Sequence, residues 1–184
     1  MTTPTKNLNH VALQLIAAAR RVEEAAGYPT RQLITSLPEG VTHQQAIVTA
    51  IWLARWLAGR AGLPDVGHDY DDPRWAARTL SEFEAGVRFN LSRDPEVARS
   101  RTMMLKIIGL VVAATPDRLP PLSSIDELLT AAAVEDGPQG FNFVLLRLVE
   151  LIKALSDLDR FPGRLLDVLA ADFMVTYTES ETDA

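Results

Sequence analysis

The 184-residue sequence predicts an all-α protein, a single-domain bundle of about seven to eight helices with no sheet. Three observations support this class. Apolar residues recur at helical spacing, capping residues and Pro or Gly stops follow one another at short intervals, and no stretch is long enough for a convincing strand. The bundle is expected over residues 1–178, followed by a disordered acidic tail over residues 179–184.

The first three predicted helices are recognised by their ends. Residues 8–26 carry apolar side chains at helical spacing and are followed by a glycine and a nearby proline, a common C-terminal stop. Residues 31–37 predict a short helix that the next residue, a proline, interrupts. Thr42 and Gln45 predict a capping box, in which each side chain accepts a hydrogen bond from the other residue's backbone N–H. This box opens a helix that runs to about residue 61.

The next two helices share a start signal, an Asp-Pro pair. An aspartate at the N-cap accepts a hydrogen bond from the first turn, and a proline fits the first helical position because no N–H is needed there. Asp72 accordingly caps a helix over residues 73–92, and Asp94 caps a helix over residues 95–115.

Three further helices follow a proline-rich connector. Ser124 with Glu127 predicts a second capping box, opening a helix to about residue 134. A Gly-Pro-Gln-Gly turn then precedes a long apolar helix over residues 141–159. Pro162 and Gly163 interrupt it, and the last helix is expected to end at about residue 177.

Three segments of these helices are apolar around most of their circumference, namely residues 47–57, 107–114 and 141–155. An ordinary surface helix has one apolar stripe and one polar face. Helices with so little polar surface need cover on most sides. The sequence therefore leaves two possibilities open: the cover comes from the rest of this chain, or it comes from another chain.

Composition limits the functional classes. The absence of cysteine excludes thiolate metal sites, cysteine nucleophiles and disulfides. The N-terminal residues do not resemble a signal peptide, and no apolar run approaches the roughly 20 residues of a membrane span. No phosphate-binding glycine loop, zinc-ligand spacing or nucleophile elbow occurs. We therefore expect a cytoplasmic protein without a membrane contact, a cofactor or catalytic residues.

The charge is distributed unevenly along the chain. Residues 1–122 carry 14 Lys+Arg and 12 Asp+Glu, whereas residues 123–184 carry 4 and 12, which gives +2 and −8 and together the net −6. A basic stretch over residues 86–106 includes Arg99 and Arg101. It lacks the aromatic interleaving of nucleic-acid interfaces, so a nucleic-acid-associated regulator is the least favoured function. The acidic half suits a basic partner or the basic stretch of a second copy, although it also fits an ordinary solvated face.

An aspartate-rich loop between two predicted helices is the one candidate metal site. Its possible ligands are Asp65, His68, Asp69, Asp71 and Asp72. Divalent cations such as Ca²⁺ prefer oxygen ligands, but the glycine position and the missing closing glutamate differ from an EF-hand loop. The alternative interpretation is a solvated loop in which Asp72 acts only as a helix cap.

The candidate interaction residues lie in two of the apolar helices. Trp52 and Trp56 are one turn apart and Arg55 is within reach of the first ring. Tryptophan and arginine dominate binding hot spots when exposed, whereas a buried group of this kind is simply core. Arg99, Arg101 and Met103 complete the candidate set, because they begin a helix that changes from charged to apolar.

The sequence thus predicts a non-catalytic interaction or assembly subunit that acts through protein–protein contacts. Self-association or membership of a larger complex is expected, because apolar surface is abundant and an active-site set is missing. The alternative is a helical binding protein or enzyme that binds a small molecule or a divalent metal near residues 65–72.

Overall fold

The computed structural model describes residues 4–21, 37–61, 73–89, 94–114 and 120–182. These residues form seven α-helices and one short 3₁₀ helix, with no strand among them, which confirms the all-α class. The helices are α1 (Pro4–Arg21), α2 (His43–Arg60), α3 (Pro73–Phe89), α4 (Pro95–Ala113), α5 (Leu122–Asp136), α6 (Gly140–Asp157) and α7 (Arg164–Thr182), with the 3₁₀ helix at Gly137–Gln139. The expected short helix over residues 31–37 lies outside the described residues, apart from its last residue.

Two of the predicted helix starts have the expected cap geometry. At α2, the Thr42 side chain accepts from the Gln45 backbone N–H at 3.2 Å, and the Gln45 side chain accepts from the Thr42 N–H at 2.8 Å. At α4, the Asp94 side chain accepts from the Glu96 N–H at 2.9 Å, with a proline at the first helical position. Local side-chain chemistry therefore sets these two starts.

The predicted cap at Asp72 lies outside the described residues, and the predicted capping box of Ser124 with Glu127 is wrong. Helix α5 begins two residues earlier, at Leu122, and its N-cap is Pro121. The Ser124 N–H donates to the Pro121 carbonyl at 3.0 Å, so Ser124 already lies inside the first turn and cannot cap it. The last helix also differs from its predicted length, since it continues to Thr182 instead of ending near residue 177. No glycine or proline in that stretch stops it.

Helix α6 is the central element of the bundle. It packs against α1, α2, α4 and α5, and its side chains Leu148, Leu151 and Ile152 are fully buried. The other two apolar segments are also covered by this chain, since Ile47 and Leu57 on α2 are fully buried, as are Ile107 and Ile108 on α4. Most of the apolar surface of these three segments is therefore buried by the chain's own core.

The first and last helices of the described chain pack against each other. Helix α1 lies against α7, and the two are linked by Arg20 on α1, whose Nη2 donates to Asp167 Oδ1 at 2.5 Å. These two residues are 147 positions apart in the sequence. Helix α1 also contacts α2 and α6, so its buried face is shared among three helices.

The turn between α5 and α6 brings two backbones into close approach. Gly137 adopts φ +57, a conformation that side chains disfavour, and this reverses the chain into the 3₁₀ helix. At Gly140, an added Cβ atom would lie 2.5 Å from the carbonyl carbon and oxygen of Ala132. Only glycine fits at this position, because the obstructing atoms belong to the backbone.

The turn between α6 and α7 is held by a buried carboxylate. The Asp159 side chain is inaccessible to solvent and accepts two hydrogen bonds from Arg164, at 2.8 Å from Nε and 3.0 Å from Nη2. The Arg164 side chain as a whole is 42% exposed. A two-point bond of this kind fixes the direction in which α7 leaves α6.

Candidate interaction surface

A groove runs between α4 and α5. Both helices pack against α6, but they make few direct contacts with each other, so a channel remains between them. One end has a volume of about 470 Å³ and the other about 340 Å³, and Lys106 lines both. We call this channel the α4–α5 groove. Its lining residues include Arg99, Thr102, Met103, Lys106, Gly109 and Leu110 on α4, and Ser124, Glu127, Leu128 and Glu135 on α5.

Arg99 closes one end of the groove by joining three helices. Its Nε lies 3.2 Å from Glu135 Oε2 and its Nη2 pairs with Asp136, both near the end of α5. The guanidinium also lies 4.7 Å from the ring centre of Phe143 on α6. The hydrogen bond with Asp136 raises the pKa of Arg99 above its usual value. This predicted interaction residue is therefore already engaged within the chain.

Arg147 on α6 forms the next layer of this network. It donates to the Ser100 hydroxyl, its Nη2 lies 2.7 Å from Glu150 Oε1, and its guanidinium lies 5.4 Å from the Phe143 ring centre. Burial raises the pKa of Glu150 above its ordinary value, and the charge of Arg147 partly opposes that change. The network ties α4 to α6 at the base of the groove.

The raised pKa of Glu150 predicts a pH-dependent stability. The folded protein binds a proton at the Glu150 carboxyl more readily than the unfolded chain does. The contribution of this carboxyl to the free energy of unfolding is therefore full below its unfolded pKa of about 4.3 and is lost as pH rises through its higher pKa in the folded protein. We expect Glu150→Gln to flatten the decline in the free energy of unfolding between pH 4 and 7, measured with urea. Glu82→Gln, in an exposed pair with Arg78, is the control that should leave the decline unchanged. Parallel curves for Glu150→Gln and the parent would contradict the prediction.

The middle of the α4–α5 groove carries opposite charges on its two sides. Lys106 on α4 and Glu127 on α5 are both exposed. Neither forms an ion pair with any other residue in the described ranges. Because Glu127 is not used as a cap, its carboxylate remains available at the groove. Arg101, another predicted interaction residue, is half-exposed and does not appear among the lining residues.

Gly109 and Met103 give the α4 wall of the groove its shape. A Cβ at Gly109 would meet nothing within 4 Å, so no part of the described chain approaches this helical glycine. Met103 is 4% exposed, hence mainly a core residue with one edge in the groove. Two apolar side chains lie near the end of the groove where α4 ends and α5 begins: Val112 is 41% and Leu122 58% exposed.

The tryptophan and arginine candidates on α2 have three different environments. Arg55 is buried, and desolvation lowers its pKa. Trp56 is half-buried against the core, with Arg60 lying 3.9 Å from its ring centre. Trp52 is the exposed member at 38%, and its ring meets Phe173 of α7 edge-on. The structure therefore does not bring Trp52, Arg55 and Trp56 together as one exposed cluster.

The candidate metal ligands Asp65, His68, Asp69, Asp71 and Asp72 lie outside the described residues, so this site stays a prediction. Within the described ranges, no group of three or more acidic or histidine side chains is arranged to hold a metal ion.

Sequence reasoning missed several residues that the structure brings into sites. Glu135 and Asp136 contact Arg99 across two helices, and no local spacing connects them. Phe173 and Asn9 line a second cavity together with Trp52. Gly109 is the residue for which the sequence carries a signal, because a glycine inside an apolar helix indicates close approach of another backbone. Within the described residues no such approach occurs, since a Cβ at Gly109 would meet nothing within 4 Å.

Comparison with known proteins gives no information about the function of the α4–α5 groove. No protein-family model, curated protein or solved structure matches the chain. None of the helices in the described part of the chain is long and apolar enough to cross a bilayer.

Proposed function

We propose that this protein is a non-catalytic interaction subunit that associates with a second copy of itself through the α4–α5 groove. The observation that carries the proposal is the pair of opposite charges at the groove, Lys106 on α4 and Glu127 on α5, neither ion-paired within the described residues. In a twofold-symmetric dimer the same surface meets itself, so each residue contacts its complement on the other subunit. Lys106 of one copy then faces Glu127 of the next, twice per dimer.

The groove also offers apolar contact at its lining and at one end. Leu110 and Leu128 line it, and two apolar side chains outside the lining are exposed, Val112 in the last turn of α4 and Leu122 at the start of α5. Gly109 leaves room for a helix of the second copy to approach closely, which is the situation that the glycine indicates. The helical glycine otherwise costs about 1 kcal/mol of helix stability relative to alanine.

The size of the surface indicates a weak dimer. Helix α4 has 19 residues and is therefore about 28 Å long. The other wall, α5, has 15 residues and is about 22 Å long, so the face that these two helices present is smaller than a standard interface. Standard interfaces bury about 800 Å² per partner, so we expect a micromolar dissociation constant.

Charge reversal tests the pairing between subunits. Lys106→Glu or Glu127→Lys alone replaces two attractive pairs with two repulsive ones, and we expect the dissociation constant to rise about tenfold. An equimolar mixture of the two variants should associate as tightly as the parent, because the mixed dimer restores both opposite-charge pairs. Analytical ultracentrifugation over a concentration series measures all four samples. A parent that remains monomeric at about 1 mM, or a mixture no tighter than the single variants, would refute the proposal.

Two glycines provide a matched steric test. Gly109 and Gly86 both lie inside helices with open space around an added Cβ, but only Gly109 lines the groove. Gly109→Gln should abolish dimerisation, whereas Gly86→Gln should not change it. Both variants should keep the fold, so equal effects on association would contradict the assignment of the groove.

A further inference from the structure

The two halves of helix α4 are attached to the bundle by different kinds of contact. The second half is anchored by apolar burial, since Met103, Ile107 and Val111 are buried. In the first half, residues 95–102, no side chain is buried, and none packs against the hydrophobic core that the structure describes. Val97, an apolar residue of this half, is 38% exposed. A helical segment without buried apolar contacts gains little stability from packing, so its attachment to α5 and α6 depends on polar contacts.

These polar contacts come from both neighbouring helices. Arg99 pairs with two residues at the end of α5, with its Nε 3.2 Å from Glu135 Oε2 and its Nη2 against Asp136. The next residue, Ser100, accepts a hydrogen bond from Arg147 of α6. We call these five residues the polar latch: Arg99, Ser100, Glu135, Asp136 and Arg147. The polar latch joins the first half of α4 to two helices that are themselves packed into the core.

The exposure of its members makes the polar latch sensitive to salt. The side chains of Asp136 and Arg147 are each 18% exposed, so their charges are partly shielded from water and interact more strongly than surface charges do. Arg99 and Glu135 are more exposed, at 37% and 51%, and dissolved ions screen such charges. The polar latch should therefore hold at low ionic strength and weaken as the salt concentration rises.

We propose that residues 95–102 open from the bundle as a unit when the polar latch breaks, while the second half of α4 stays packed. The polar latch lies at one end of the α4–α5 groove, where Arg99, Thr102 and Glu135 line the cavity. Opening removes the α4 wall at that end, so the polar latch controls access to this part of the groove. All of its contacts lie within one copy of the chain, so the inference does not rest on self-association.

Amide hydrogen exchange, followed by NMR on the full chain at a concentration where it is monomeric, tests the proposal. The amides of residues 99–102 should exchange faster than those of residues 107–111, because exchange reports the free energy of local opening. Raising NaCl from about 0.1 M to about 1 M shortens the screening length from about 10 Å to about 3 Å. This change should accelerate exchange at residues 99–102 several-fold and leave residues 107–111 unchanged.

Variants on both sides of the polar latch complete the test. Arg99→Ala should accelerate exchange at residues 99–102 about tenfold, the effect of losing bonds between charged groups. Arg101→Ala is the matched control, because this half-exposed arginine is on the same helix but outside the polar latch, and it should leave exchange nearly unchanged. Asp136→Asn, although on α5, should also accelerate exchange at residues 99–102. Equal effects of the two arginine variants, no effect of Asp136→Asn, or equal exchange in both halves of α4 would overturn the proposal.

Discussion

Gly140→Ala is expected to lower the free energy of unfolding by about 3 kcal/mol, because the added methyl group overlaps the backbone of a neighbouring helix. The added Cβ would lie 2.5 Å from the carbonyl carbon and oxygen of Ala132 and 2.7 Å from the Ala133 nitrogen. These are backbone atoms of α5, which cannot rotate away as a side chain does. Relief would require α5 and α6 to move apart, and α6 is the central helix. Urea unfolding followed by circular dichroism measures the loss.

The same substitution at two other glycines provides the control. Gly86 and Gly109 lie inside α3 and α4, and a Cβ at either meets nothing within 4 Å. Alanine should therefore stabilise both helices by about 0.5–1 kcal/mol, because it loses less backbone entropy than glycine on folding. The three variants add one identical methyl group, so a Gly140→Ala protein as stable as the other two would contradict the close approach between α5 and α6.

Arg164→Ala is expected to destabilise the protein by about 2 kcal/mol. The substitution leaves the Asp159 carboxylate buried without its two hydrogen bonds, and an uncompensated buried charge is costly. The loss should stay below the largest values known for buried pairs because the Arg164 side chain is partly exposed. The free energy of unfolding in urea at pH 7 measures it.

An exposed ion pair supplies the comparison for Arg164. Arg78 Nε lies 3.0 Å from Glu82 Oε1 on α3, and both side chains are 68% exposed. Arg78→Ala should change stability by less than about 0.5 kcal/mol, since water screens such pairs. Removing the arginine should therefore lower the free energy of unfolding by more at Arg164 than at Arg78, because only the carboxylate of Asp159 is buried. Equal losses at the two sites would show that the burial of Asp159 does not matter.

The helices themselves were largely predictable from sequence because their signals are local. The Thr42 and Asp94 caps depend on atoms within three residues, and apolar spacing marks the buried face of each helix. The prediction at Ser124 and Glu127 failed for an equally local reason: Pro121 had already started the helix. A pattern of serine and glutamate does not reveal which of two possible starts the backbone takes.

The sites were less predictable because they depend on how helices pack. Trp52 and Trp56 share a sequence pattern, yet α7 and the core give them different environments. The α4–α5 groove exists because both helices rest on α6 without closing on each other, and no residue spacing encodes that gap. Asn9 is one polar residue in an amphipathic helix. Its burial becomes visible only once the surrounding helices are in place.

The pairing of α1 with α7 has a consequence for synthesis on the ribosome. Translation proceeds at about 5–20 residues per second, so the 147 positions between Arg20 and Asp167 take about 7–30 s to make. During that interval the α7-facing surface of α1 lacks its native cover, and the nascent chain carries it as an exposed apolar strip. Burial of that surface is therefore one of the last steps of folding during synthesis, because α7 must leave the ribosome before it can pack on α1.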